Sequence, residues 1–209
     1  MKKIFLFIVI FAAFIFCSGC TSEITITAKS SNSIEVTFNG AAGKAFAKLI
    51  NSAAGEESDS VIFDLKQISY ELAKNGFSNV KASSQNGMDL RVAMEDNQKA
   101  SALFSSNILT IQKGKINAWL SPQKLKAFYS SSDEQIAQFL DLLLSPVFND
   151  EVMSEDEYIE TIASFYGDDA ATEINETNFK ITLINLDGSR REKIIPLAKL
   201  LSLNEELSF

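Results

Sequence analysis

The chain has 209 residues, 46% hydrophobic and 22% charged, with a net charge of −8 and no histidine. This is an ordinary globular composition, long enough for one sizeable domain or two small ones. The missing histidine removes the commonest general base, the Ser-His and Cys-His nucleophile pairs and most zinc sites, and the acidic balance disfavours nucleic acid and anionic headgroups.

Chain order begins with Lys2 and Lys3, then thirteen residues from Ile4 to Phe16 without a polar side chain, then Cys17-Ser18-Gly19-Cys20. A charged start, a short apolar run and a small-residue exit are the parts of a secretory signal peptide. The run is shorter than the roughly 20 residues a spanning helix needs. Its ending resembles the lipobox of bacterial lipoproteins, matched at Ser18, Gly19 and Cys20, with Cys17 where that family usually has Leu. The resemblance implies a cleaved signal peptide over residues 1–19 and a Cys20 carrying a diacylglycerol and an N-acyl chain such as palmitate. Residues 20–22 are then a short tether and residues 23–209 the folded body. Two other readings use the same residues: ordinary cleavage after Gly19, giving a soluble secreted protein, or retention of the uncut segment as an anchor.

Both cysteines lie at this junction, so the expected mature chain has no disulfide and relies on core packing. It keeps 17 basic and 27 acidic residues, a net charge of −10. Attachment would therefore come from acyl chains, at about 0.8 kcal/mol per buried CH₂, rather than from charge. With only Thr21 and Ser22 before Glu23, the body would sit within roughly 10 Å of the lipid.

Ile24, Ile26 and Ala28 alternate with Glu23, Thr25 and Thr27, and Ile34, Val36 and Phe38 continue after Ser30 to Ser33, predicting a hairpin. Gly40 and Gly43 introduce a helix to about Ala53, and a second helix, capped at Ser58 or Ser60, runs to Asn75 with Gly76 beyond it. A hairpin follows around Asn86-Gly87, its second strand carrying the Met88, Leu90, Val92, Met94 stripe. The order hairpin, paired helices, hairpin over residues 23–94 resembles the LppM-type lipoprotein domain of actinobacteria in arrangement alone. A short helix is expected over Asn97–Phe104, then a hairpin from Ile108 to Leu120 turning at Lys113-Gly114. Ser121-Pro122 starts one helix, Ser132 with Gln135 a second, and Ser154 with Glu157 a third, with Met153 and Tyr158 placed as a staple. Asp168-Asp169 reads as another helix start. A last hairpin turns at Asp187-Gly188, and Pro196 opens a helix to about Leu203. The fold class expected is α+β: about eight strands in antiparallel hairpins, five or six helices, and a helical block at about 121–175 that forms a subdomain or part of one domain.

Ser121-Pro122-Gln123-Lys124 matches the S-x-x-K spacing of penicillin-binding proteins and class A β-lactamases, but K-T-G and S-D-N are missing. Ser before Pro is also what a helix start needs, and capping is the favoured reading. Asp150, Glu151, Glu155, Asp156, Glu157 and Glu160 offer oxygen ligands for a hard cation, yet the EF-hand pattern fails and three of them fit a first helical turn. Carboxylate pairs for glycoside hydrolysis are one option in a chain with 27 acids. Arg190, Arg191 and Lys193 read as a charged strand edge, with an anionic partner as the alternative. Trp119 is expected in the core or half-buried on a strand.

No catalytic, metal or cofactor site is expected, and Cys20 is the lipidated residue. The leading expectation is a membrane-anchored lipoprotein of the bacterial cell envelope whose body is a non-catalytic binding domain for an envelope protein. The alternatives are a binder of lipid or another apolar ligand and a hydrolase using carboxylates or Ser121 and Lys124.

Overall fold

Alternating residues build the first hairpin, β1 (Ser22–Ser30) and β2 (Ser33–Ala41), in the computed structural model of the chain. The model describes residues 22–41, 43–45, 47–48, 65–74, 76–85, 89–97, 102–105, 107–130, 144, 146–147, 149 and 151–209. The signal segment with Cys20, most of the two early helices, the Asn86-Gly87 turn and the Ser132 helix start fall outside them. In the hairpin, Ile24 pairs Phe38, Ile26 pairs Val36 and Ala28 pairs Ile34, all buried, so one face of the ribbon is apolar. Thr25, Thr27 and Thr37 occupy the other face.

Helix α1 (Leu65–Lys74) buries Ile68 and Leu72 one turn apart. Gly76 ends it at φ 93°, with the Gly76 N–H donating to Ala73 and the Phe77 N–H to Leu72. This is the Schellman pattern, and the positive φ is why a glycine stands there. Strands β3 (Ser78–Ser83) and β4 (Asp89–Asn97) follow, and β4 lies against β2 with Val36 opposite Met94 and Phe38 opposite Val92. The helix expected over Asn97–Phe104 does not begin at Asn97. Asn97 is the last residue of β4, paired with Ser33, and α2 is described over Ala102–Ser105.

Helix α3 (Pro122–Ser130) is followed by α4 (Glu155–Tyr166) and α5 (Asp168–Glu176). Then come β7 (Asn178–Ile184), β8 (Arg190–Pro196) and α6 (Leu197–Leu201). The six strands order as β3-β4-β2-β1-β7-β8. The expectation of antiparallel pairing alone is corrected at one ladder: β1 and β7 run parallel, Ser22 opposite Phe179 through Thr27 opposite Ile184. Hairpin signals are local, whereas a parallel pair needs a long crossover, here everything between β2 and α5. The sheet is therefore mixed, with β1 near its middle.

A second sheet orders β5 (Leu109–Gln112), β6 (Lys115–Leu120) and β9 (Leu207–Ser208). Lys113 and Gly114 make the β5–β6 turn at φ 52° and 77°. A Cβ at Gly114 would lie 3.3 Å from Leu186, a tight contact that adds to the preference for glycine set by the positive φ. β9 was not anticipated, because two residues carry no periodicity. The buried apolar residues form one cluster that joins sheet residues such as Ile34, Leu90 and Phe179 to Tyr158, Ile162 and Ile174 of the helical block. Full burial of side chains this size contributes about 1.5–3 kcal/mol each.

Candidate functional site

The S-x-x-K pair folds as a helix start. The Lys124 backbone N–H donates to Ser121 Oγ at 3.3 Å, and Ser121 is buried. The Lys124 ammonium instead donates to the carbonyls of Asn107 and, at 3.5 Å, Trp119. It also lies 5.4 Å from the centre of the Trp119 ring. These contacts tie α3 back to β6 and leave Trp119 half-buried on its strand, as the sequence suggested. The amine is thus directed to two carbonyls and a ring face, and the only Lys124 group bonded to the Ser121 hydroxyl is the backbone N–H.

The basic cluster does not converge either. β8 is a sheet edge, and strand alternation sends its side chains to opposite faces. Arg190 pairs with Glu192 on one face, where Lys180 also meets Glu192 at 3.4 Å and Glu23 at 3.2 Å. On the other face the Arg191 guanidinium donates to the Ile116 carbonyl, and Lys193 donates to the Ser208 carbonyl at 3.2 Å over the Phe209 ring. Asn185 completes this joint: the Ile116 N–H donates to its Oδ1 at 2.9 Å, and its own Nδ2 donates to Ser189 Oγ at 2.9 Å. Two of the three cations thus fasten the small sheet to the large one. Asn185, the centre of the joint, went unnoticed in the sequence, where Asn beside Asp187-Gly188 looks like turn composition only.

The acidic segment forms the entry of α4. Ser154 Oγ accepts the Glu157 N–H at 3.2 Å and the Ser154 N–H donates to Glu157 Oε2 at 2.8 Å, a full capping box. The Ser154 backbone and hydroxyl donors hold the Glu157 carboxyl below the usual range. Burial pushes the Tyr158 phenol far above its ordinary value, so it stays protonated. Among the described residues no three acids converge as a metal-binding group. Glu155, Asp156 and Glu157 fan around the first turn, and Asp168 and Asp169 around that of α5.

Beside this entry lies an open groove of about 640 Å³, with Glu151, Val152, Met153, Glu157, Glu160 and Phe165 among its walls. Val152 is 86% exposed and Phe165 76%. Helical spacing places Phe165 one heptad beyond Tyr158, on the stripe that Tyr158 and Ile162 bury. Spacing alone would put it in the core, but the helix overruns the core and its last turn carries the ring outside. Tyr166 stands beside it, the two ring centres 6.3 Å apart. An open trough with acidic walls offers an acyl chain no dry enclosure. No helix among the described residues is long and apolar enough to cross a membrane.

No protein-family model matches the chain, and no curated protein matches it. The roles of its residues therefore rest on their own geometry.

Proposed function

We propose that the protein is a bacterial envelope lipoprotein, held to a membrane by acyl chains on Cys20, whose folded body is a non-catalytic binding module. The lipobox-like run Cys17-Ser18-Gly19-Cys20 behind a thirteen-residue apolar stretch carries this reading. Two features of the fold support it. Ser22 is already buried as the first residue of β1, which leaves Thr21 alone between the cysteine and the sheet. The Ser121 and Lys124 side chains of the S-x-x-K spacing are engaged in capping and in joining α3 to β6. The groove beside α4 supplies the binding surface.

The test is metabolic labelling with an alkyne fatty acid, followed by intact mass of the purified protein. Wild type should carry acyl mass on a chain beginning at Cys20. Cys20→Ser should lose the label and accumulate uncut precursor. A mature chain without acyl mass, or equal labelling of the variant, refutes the anchor.

A further inference from the structure

Resting on that reading of the body as a binding module, we infer that the groove beside α4 receives a cationic, amphipathic polypeptide segment of a partner protein. Its apolar lining residues Val152 and Phe165 are largely uncovered among the described residues. Of the six large apolar side chains exposed among the described residues, three, Val152, Phe165 and Tyr166, belong to this one region. Scattered exposed apolar residues need no explanation, but a group gathered at a groove marks a contact surface.

Charge selects the occupant. Glu151, Glu157 and Glu160 stand around the apolar residues, and no Lys or Arg is among the described walls. The bias extends along the chain: no basic residue occurs between Lys126 and Lys180, an interval holding 13 of the 27 acids. Carboxylates this dense repel anionic headgroups, so insertion of Phe165 into a bilayer is disfavoured on the same ground that attracts a cation. Lys or Arg spaced about an aliphatic or aromatic anchor satisfies both parts, with the anchor against Val152 and Phe165 and the cations over the carboxylates. The exposed Phe165 and Tyr166 rings add faces that Arg or Lys can stack on.

The test uses the full processed protein in phosphatidylcholine vesicles and a short labelled, amidated Lys/Leu amphipathic peptide, read by fluorescence anisotropy. Saturable binding should fall about tenfold or more on Glu151→Lys with Glu160→Lys, and comparably on Phe165→Ser. Binding should weaken as salt rises, and a Glu/Leu peptide of the same pattern should not bind. Glu151 and Glu160 are exposed, and Glu157 is left alone to preserve the capping box. Wild-type binding by either variant, or equal binding of both peptides, overturns the proposal. So does extra quenching of Phe165→Trp by brominated phosphatidylcholine without peptide, because the ring then lies in lipid. Intact mass of the same sample reports acylation separately, so loss of the anchor and loss of the groove are distinguishable.

Discussion

Replacing Asn185 by alanine tests whether the two sheets depend on one side chain. Asn185 is 5% exposed and Ile116 is fully buried. The substitution strips the Ile116 N–H of its acceptor at 2.9 Å and removes the 2.9 Å bond to Ser189 Oγ. A buried donor without a partner costs about 1–3 kcal/mol, and a lost side-chain hydrogen bond about 1 kcal/mol. The turn keeps its own bonds, Asn185 N–H to Ser189 and Gly188 N–H to Asn185, both 2.9 Å. The loss therefore falls on the joint and should total about 2–4 kcal/mol, a large share of a typical stability of about 5–15 kcal/mol. Trp119, the single tryptophan, lies on β6 three residues beyond Ile116 and reports the transition by its emission. In urea the midpoint should drop at an unchanged slope, and Ser189→Ala should cost about 1 kcal/mol or less. Adding Arg191→Ala should give a non-additive change, since Arg191 holds the carbonyl of the same residue. A loss below about 0.5 kcal/mol for Asn185→Ala would show that the sheets are joined by something else.

Ser154→Ala should destabilise the domain by about 1 kcal/mol through loss of the α4 cap, read from the same urea curves. The Glu157 carboxyl is held low by its Ser154 donors. Its contribution is therefore present above the unfolded value, about 4.3, and is lost as pH falls through the folded one. The gap between wild type and Ser154→Ala should narrow on acidification, and a gap that widens contradicts the capping box. Ser121→Ala should cost about 1 kcal/mol as a cap, with Lys124→Ala similar through its carbonyl and ring contacts. A fluorescent penicillin should leave Ser121 unmodified by intact mass, and an adduct there would restore the S-x-x-K chemistry.

Local rules made much of the fold legible. The Lys113-Gly114 and Asp187-Gly188 turns, the Gly76 helix end and the Ser154–Glu157 box each depend on a few neighbouring residues, and all form where the sequence places them. Pairing between distant elements was not legible. Alternation in β1 says that Ile24 and Ile26 are buried but not that Ile181 and Leu183 of β7 are their parallel partners. The same blindness hid the joint, since Arg191 and Lys193 look like edge charges until β6 and β9 lie beside them. At the groove, the exposure of Phe165 is not legible, because periodicity measures the direction of a side chain around the helix axis and not where the core stops along it.

The parallel ladder also bears on anchoring. If Cys20 holds the lipid, any pull on the body enters at Ser22, the buried start of β1. That strand is bonded on both sides, to β2 by one ladder and to β7 by another. A force along it must shear both ladders together, whereas a tether on an edge strand such as β8 would load one and open it bond by bond. The pairing of Ser22 with Phe179 also ties the tether to β7, which continues through the Asp187-Gly188 turn into β8 and its contacts with the small sheet. Under that anchoring, a load applied at the lipid would be spread over the whole large sheet before it reached the groove on α4, so the proposed binding face would keep its shape while the body rocked on its one-residue tether.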